Sequence, residues 1–465
     1  MPARKSTSFD GLEAALKVSP LTLLVRGVLE WTLPNEQLQA LHQQAPRGWT
    51  RSLTIESLFW LGVEVVSGAK GSIYAAFVAD QAETEPTISV SHQAVYDKLG
   101  SMSPVFGTSL VRESAQRLLP LLRQASPRHY PGLKGYRVIA IDGTDLGGSE
   151  HRLAVLRRTK AAGLPGKFVV AYDWASGICC DAIGSEDAYT SERVLVPEIL
   201  AEARQNELFV MDRYYCTTRI MQSTQKRRAY FVVREKDDNL RCRELAKPRF
   251  RGRIAGGKVY EQPLAVEDTT TGENFQVRRV ILKLDTPTSK GDREIRLLTN
   301  LPHKVKASKV AELYRERWTI ESQFNFLKHC LHGEIESLGR PRAALFMMFL
   351  SLVTSNALAV VRQAIRMTHG NDQWEQLSGH YLAEELEKNY HAVDVLIEAA
   401  QWEAIQDRSP SAFWNWAKQI AIKIRVPAFL KSTRGPKVPQ PPRRSGKHRH
   451  HYSTHRLLQD ARGKP

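Results

Sequence analysis

Four side chains suited to phosphate and metal chemistry fall within one short stretch, at the spacing Tyr-x2-Arg-x3-Glu-x6-Lys: Tyr314, Arg317, Glu321 and Lys328. A carboxylate is a hard oxygen donor for a divalent cation, a guanidinium is a planar fork for phosphate oxygens, and an ammonium is a compact point charge. The stretch from Tyr314 to Lys328 contains neither Pro nor Gly. It reads as one helix, on which a turn of about 100° per residue gathers the four onto an arc of roughly 60°. Leu313, Ile320, Phe324 and Leu327 form an apolar stripe beside that arc. A solvated helix face also mixes charges in this way, so the partners of Glu321 decide the reading.

Two-metal phosphoryl transfer needs carboxylates that hold two divalent cations about 3.5–4 Å apart. Asp142 follows the strand-like run Tyr136 to Ile141, and Asp212 follows Leu208 to Met211. If those strands are neighbours, the two carboxylates lie side by side at their C-terminal ends and Glu321 comes in from the later helix. Asp145, Asp173, Asp181 and Glu316 are rivals. Asp145 is expected past a strand end and Asp173 in a turn, and Glu316 falls about 140° around the helix from Glu321. The residues alone permit Asp142, Asp212 and Glu321 without forcing them. Arg213, directly after Asp212, is a further candidate for phosphate, with an ion pair to a core carboxylate as its plainer role.

The elements that would position these residues change character along the chain. Residues 1–130 show three- and four-residue apolar steps and are expected to be short helices. Ser91 caps a segment through Leu99 that resembles the start of a helix-turn-helix recognition helix or, equally, an ordinary capped surface helix. Within 131–235 the pattern predicts strands at Tyr136 to Ile141, Lys167 to Tyr172 and Ile178 to Ile183, a helix over Ser191 to Arg204, and a strand at Leu208 to Met211. A helix over Thr217 to Lys226 and a strand at Ala229 to Val233 follow. Residues 236–302 are polar, glycine-punctuated and β-like, with strands expected at Lys258 to Val266, Phe275 to Leu284 and Glu294 to Thr299. Residues 303–370 resume the helical pattern and 371–430 continue it, with long helices over Arg342 to Met367 and Leu382 to Ala417. Residues 431–465 are Pro-rich and basic and are expected to be a disordered tail.

The spacing around Glu321, with Asp142 and Asp212 upstream, resembles the signature of the insertion-sequence-4 family of bacterial DDE transposases, over about Val138 to Lys328. The resemblance implies an α/β ribonuclease-H-like core interrupted by a β-rich insertion and flanked by helical N-terminal and C-terminal regions, the first of them binding DNA. It selects Asp142, Asp212 and Glu321 as the catalytic, metal-holding residues for two Mg²⁺ ions, with Mn²⁺ able to substitute. Tyr314, Arg317, Lys328 and Arg213 become DNA contacts. The implied activity is cut-and-paste cleavage and strand transfer on double-stranded DNA, at transposon ends and target, by a homodimer in the synaptic complex. The implied location is the bacterial cytoplasm, at the nucleoid. One departure stands out: Ile295 occupies the position where relatives place a Trp that stacks on a flipped base, leaving Tyr260 or Phe275 as substitutes. A nuclease that cuts without joining and a non-catalytic DNA-binding descendant are the competing readings.

Composition agrees with a polyanionic partner. The 465 residues carry a formal net charge of +17 and a pI near 9.7, which favours nucleic acid over a membrane surface. The five cysteines include no C-x-x-C pair, which argues against a zinc site or disulfide framework. The apolar run Leu345 to Val361 is interrupted by Ser351, Thr354, Ser355 and Asn356, so it is expected to be a buried helix and not a membrane span. His448, His450, His451 and His455 read as extra cationic charge in the tail. The apolar helices after residue 341 are expected to leave a face for a second protomer.

Overall fold

The computed structural model describes residues 10–45, 53–125, 133–148, 153–158, 163–236, 240–268, 272–288, 291–432 and 452–462. Its centre is a mixed sheet of ten strands: β1 (Arg137–Asp145), β2 (Lys167–Asp173), β3 (Ile178–Ser185), β4 (Glu207–Met211), β5 (Tyr230–Arg234), β6 (Arg241–Glu244), β7 (Arg249–Ile254), β8 (Gly257–Glu267), β9 (Asn274–Leu284) and β10 (Glu294–Thr299). The spatial order is β3-β2-β1-β4-β5-β10-β9-β8-β6, with β7 also paired to β8. The β1–β2 and β2–β3 pairs are antiparallel, β1–β4 and β4–β5 are parallel, and every pair beyond β5 is antiparallel. The β-rich segment is therefore no separate sheet, because β10 returns alongside β5 (Leu298 opposite Val233) and extends the same one.

Strand alternation sends the two faces of the sheet to different partners. Ile139, Ile141, Val169, Ala171 and Ile183 pack with Leu195 and Val196 of α8 (Glu192–Ala201) and Ile220 and Met221 of α9 (Thr218–Lys226). Ala140, Phe168, Val170 and Ala182 face the helical layer that contains α7 (Pro104–Ala125) and α12 (Pro341–His369). That layer shares one core with the helices of the first hundred residues. Further along, Val138, Leu208, Val210 and Val232 pack with α10 (Ala307–Arg315).

The apolar helix α12 is long and apolar enough to cross a membrane by composition, and its most apolar window is wholly buried. Its buried residues run from Pro341 to Ile365 and include Ser351, Thr354, Ser355 and Asn356. Asn356 accepts from Cys179 N at 2.8 Å and donates to Cys179 O at 3.0 Å, which ties the helix to the edge strand β3. The share on α12 of the face expected to be free for a second protomer is thus spent on the core. The stretch 382–417 is not one helix but parts of three: α14 (Gly379–Leu396), α15 (Ala399–Gln406) and α16 (Pro410–Ile422).

Two local expectations also change. Ser91 does cap a helix, α6 (His92–Leu99), accepting from Ala94 N at 3.3 Å, but the preceding helix, α5 (Ile73–Gln81), ends ten residues earlier. The long connection between them is unlike the short turn of a helix-turn-helix. Of the tail, residues 452–462 are described and are ordered. Tyr452–Ser453 pairs with Gly163–Leu164, and Thr454–Arg462 is a helix whose Arg456 Nε donates to Asp187 at 2.8 Å. His448, His450 and His451 lie outside the described residues.

Candidate active site

Sheet register brings the two aspartates together. The parallel pairing of β1 with β4 runs to Ala140 opposite Val210 and, carried two residues further, sets Asp142 opposite Asp212. Asp142 is not at a strand end, as expected, but inside β1, which continues to Asp145 because β2 still pairs with it there, opposite Lys167. Asp212 closes β4 and caps a 3-10 turn, Arg213–Tyr215, through Oδ1, which accepts from Tyr214 N at 2.6 Å.

Glu321 arrives on α11 (Thr319–His329), and the expected single helix from Tyr314 to Lys328 is in fact interrupted. A 3-10 turn, Glu316–Trp318, separates α10 from α11. Arg317 sits in that turn, and its buried guanidinium spans the site. Nη1 donates to Asp142 Oδ2 at 3.0 Å and Nη2 to Glu321 Oε1 at 3.4 Å, while Nε is buried with no partner among the described residues. Tyr314 is buried beside it, its ring centroid 6.0 Å from the guanidinium carbon. Burial pushes the Tyr314 hydroxyl up to about 12, with the Arg317 charge opposing. It is therefore a neutral donor at neutral pH.

Burial also raises Asp142, to about 6. The Arg317 charge pulls it back, while the charges of Asp212 and Glu192 push it further up. Arg317 is itself held firmly protonated: burial works against its charge, and Tyr314, Asp142, Asp212 and Glu321 more than offset that. Lys328 stands at the rim, with Nζ donating to the Asp145 carbonyl at 2.8 Å and pairing with Glu334 at 2.5 Å. Arg213 is exposed beside Asp212 and is in neither of the hydrogen-bonded pairs at the aspartates.

The rivals have structural occupations. Asp173 is the last residue of β2 rather than part of a turn, and pairs with Arg137 at 2.5 Å. Asp181 accepts both ends of the Arg112 fork at 2.9 and 3.0 Å. Asp145 ends β1 and pairs with Lys167 at 3.2 Å. Glu316 is exposed. Ile295 and Phe275 pack against apolar cores, and Tyr260 lies under the exposed ring of Phe250 at 5.5 Å. The residue that pattern reading passed over is Glu192, at the start of α8, whose carboxyl lies against Gly143. The only signal in the sequence was an acid just inside a Ser-led helix start.

The two side chains that accept from Arg317 are both carboxylates, oxygen ligands suited to a hard divalent cation such as Mg²⁺. Among the described residues no three His, Cys, Asp or Glu side chains converge as a ready-made metal group, since the guanidinium stands between Asp142 and Glu321.

The geometry gathers Asp142 and Glu321 on one buried guanidinium, with Asp212 beside them. Residues 133–356 match the transposase DDE domain family. A protein of Synechocystis sp. assigned as transposase for insertion sequence element IS4SA is 26% identical over 174 residues, a stretch that covers 36% of this chain and 40% of that relative. A piggyBac transposase synaptic complex with hairpin DNA, solved by cryo-EM, aligns at 11% identity over 96% of this chain and 90% of that one. Its TM-score is 0.36, too low a likeness to carry an argument. Residues 133–356 thus match a transposase DDE domain, and the chain is similar to the transposase of an insertion-sequence-4 element.

Proposed function

We propose that this protein binds the terminal inverted repeats of its element and cuts and rejoins DNA there, with Asp142, Asp212 and Glu321 holding two Mg²⁺ ions in a ribonuclease-H-like core. The observation that supports this reading is the β1–β4 register, whose last pair, Ala140 opposite Val210, lies two residues before Asp142 and Asp212, together with Arg317, which donates to both Asp142 and Glu321. The order β3-β2-β1-β4-β5, antiparallel then parallel, is that of ribonuclease-H-like sheets and supports the assignment of the core.

When bound, the cations polarise the attacking and leaving oxygens of the phosphodiester. The chain's own groups do the rest. Arg317 keeps Asp142 and Glu321 in place, and its unpartnered Nε is a donor available to a phosphate oxygen. Tyr314 can donate its retained proton, and Arg213 and Lys328 offer charge at the rim to the flanking backbone. Replacing Asp142, Asp212 or Glu321 singly with Ala should abolish nicking of transposon ends in Mg²⁺ and leave end binding largely intact. Near wild-type nicking by any of the three would defeat the assignment, and an assay for joining of the cut ends to a target plasmid separates a transposase from a simple nuclease.

One such site cannot readily serve two ends held together, so we place two protomers in the synaptic complex, each cutting the end its partner binds. A Glu321→Ala protomer mixed with one defective in end binding should regain cleavage that neither shows alone. Continued inactivity of the mixture, with both proteins folded, would leave cleavage in cis.

A further inference from the structure

The groups that flank the two aspartates meet on a third carboxylate, Glu192. Gly143 follows Asp142 in β1, and a Cβ added there would collide with the Glu192 carboxyl group, so only a bare backbone lets that group lie over the strand. From the other side Tyr215, three residues after Asp212 and fully buried, donates its hydroxyl to Glu192 Oε2 at 2.6 Å. Lys167 Nζ lies 3.9 Å from Oε1 and 3.2 Å from Asp145 Oδ1.

Neither packing nor the Lys167 ammonium, which lies closer to Asp145 than to Glu192, accounts for a charge at this place. The buried Tyr215 hydroxyl needs an acceptor, but the neutral amide oxygen of a glutamine would supply one. A carboxylate beside Asp142 and Asp212 adds like-charge repulsion to its desolvation, and removing charge from such a cluster is ordinarily neutral or stabilising. Glu192 makes no helix cap either, since Ser191 is the cap residue.

We propose that Glu192 is a fourth carboxylate of the active site, fixed by Tyr215 and admitted by Gly143, which orients the water shell of the divalent cation held by Asp142, Asp212 and Glu321. This rests on the function proposed above. Groups that set the surroundings of a bound metal typically change its affinity 10- to 100-fold when removed.

The test is Mn²⁺ binding to the full-length protein on end DNA, read by electron paramagnetic resonance and paired with the Mg²⁺ dependence of nicking. Glu192→Gln keeps the acceptor for Tyr215 and should bind Mn²⁺ about 10- to 100-fold more weakly. Its thermal unfolding and end binding should remain near wild type. Gly143→Ala, which pushes the carboxylate away without removing it, should weaken Mn²⁺ binding in the same direction. Should Glu192→Gln not fold, Glu192→Asp withdraws the charge by one methylene and is read in the same way. Wild-type Mn²⁺ affinity in a folded Glu192→Gln or Glu192→Asp protein would overturn the proposal. Asp142→Asn is the control: if it still cleaves, the proposed function fails on its own, whatever Glu192 does.

Discussion

The two halves of the ten-stranded sheet both bury an arginine, and they treat it oppositely. In the β-rich half, Arg278 of β9 has every nitrogen occupied. Nε donates to Glu261 at 2.6 Å, Nη1 to the carbonyls of Leu301 and Pro302 at 2.9 Å, and Nη2 to that of Val305 at 2.9 Å. At the other end Arg317 makes two carboxylate contacts of 3.0 and 3.4 Å and leaves Nε without a partner. A saturated guanidinium clamps β8, β9 and the 301–305 loop together. One left with a spare donor among excess carboxylates costs stability and has capacity for a phosphate or for competition with a cation. The difference is the one expected between a structural charge and a working one packed against a single sheet.

The sharpest way to break that contrast is to delete both side chains. Arg278→Ala leaves three carbonyls without their donor and takes from Glu261 its buried partner, leaving it Arg251 at 2.7 Å, and should cost about 3–5 kcal/mol of stability. Arg317→Ala should slow end cleavage by about 10²- to 10³-fold, the loss typical of removing one charge-stabilising donor, with a smaller fall in melting temperature than Arg278→Ala, because Asp142, already raised to about 6, takes up a proton once Arg317 is gone. A pair of variants that lost stability equally would erase the distinction.

A smaller effect follows from pH. Asp142 titrates at about 6 in the folded protein against an ordinary 3.8, so its folded form holds a proton through a window in which the unfolded chain has lost it. Ionising Asp142 therefore costs stability as pH rises through that window, fully so above about 6 and not at all below 3.8. Asp142→Asn should raise the melting temperature at pH 7.5 and leave it unchanged near pH 3.5. In the unaltered protein, Mn²⁺ affinity should fall as pH drops below 6, roughly tenfold per unit for one displaced proton. A flat affinity between pH 7 and 5 would contradict the buried-carboxylate reading.

Much of this half was legible in the residues themselves. Three of the five strands of the β-rich segment, β8, β9 and β10, lie within a residue of their expected bounds, because apolar runs between glycines fix them locally, whereas the charged β6 and β7 were not expected. The approach of Asp142 to Asp212 followed from two strand ends and one assumption of adjacency. What escaped depended on distant partners. Gly143 and Thr144 look like a turn, yet β2 pairs with them and carries β1 on to Asp145. The break at Glu316–Trp318 lies in a sequence with no Pro or Gly, and there the tie from Arg317 to Asp142 overrides helical propensity. Glu192 was hidden because its significance lies in its contact with Gly143, far away in the chain. The apolar surface of α12 looked like surplus until the N-terminal helices were seen to cover it.

Whether Asp142 and Asp212 hold the cation that activates DNA cleavage can be read from a change of metal preference. Thiolates are soft ligands that Mg²⁺ binds poorly and Mn²⁺ tolerates better. Asp142→Cys and Asp212→Cys, each assayed for nicking of end DNA in Mg²⁺ and then in Mn²⁺, should be inactive in the first and regain measurable cleavage in the second, while Ala at the same positions stays inactive in both. Wild-type cleavage by either cysteine variant in Mg²⁺ would show that the cation is held elsewhere.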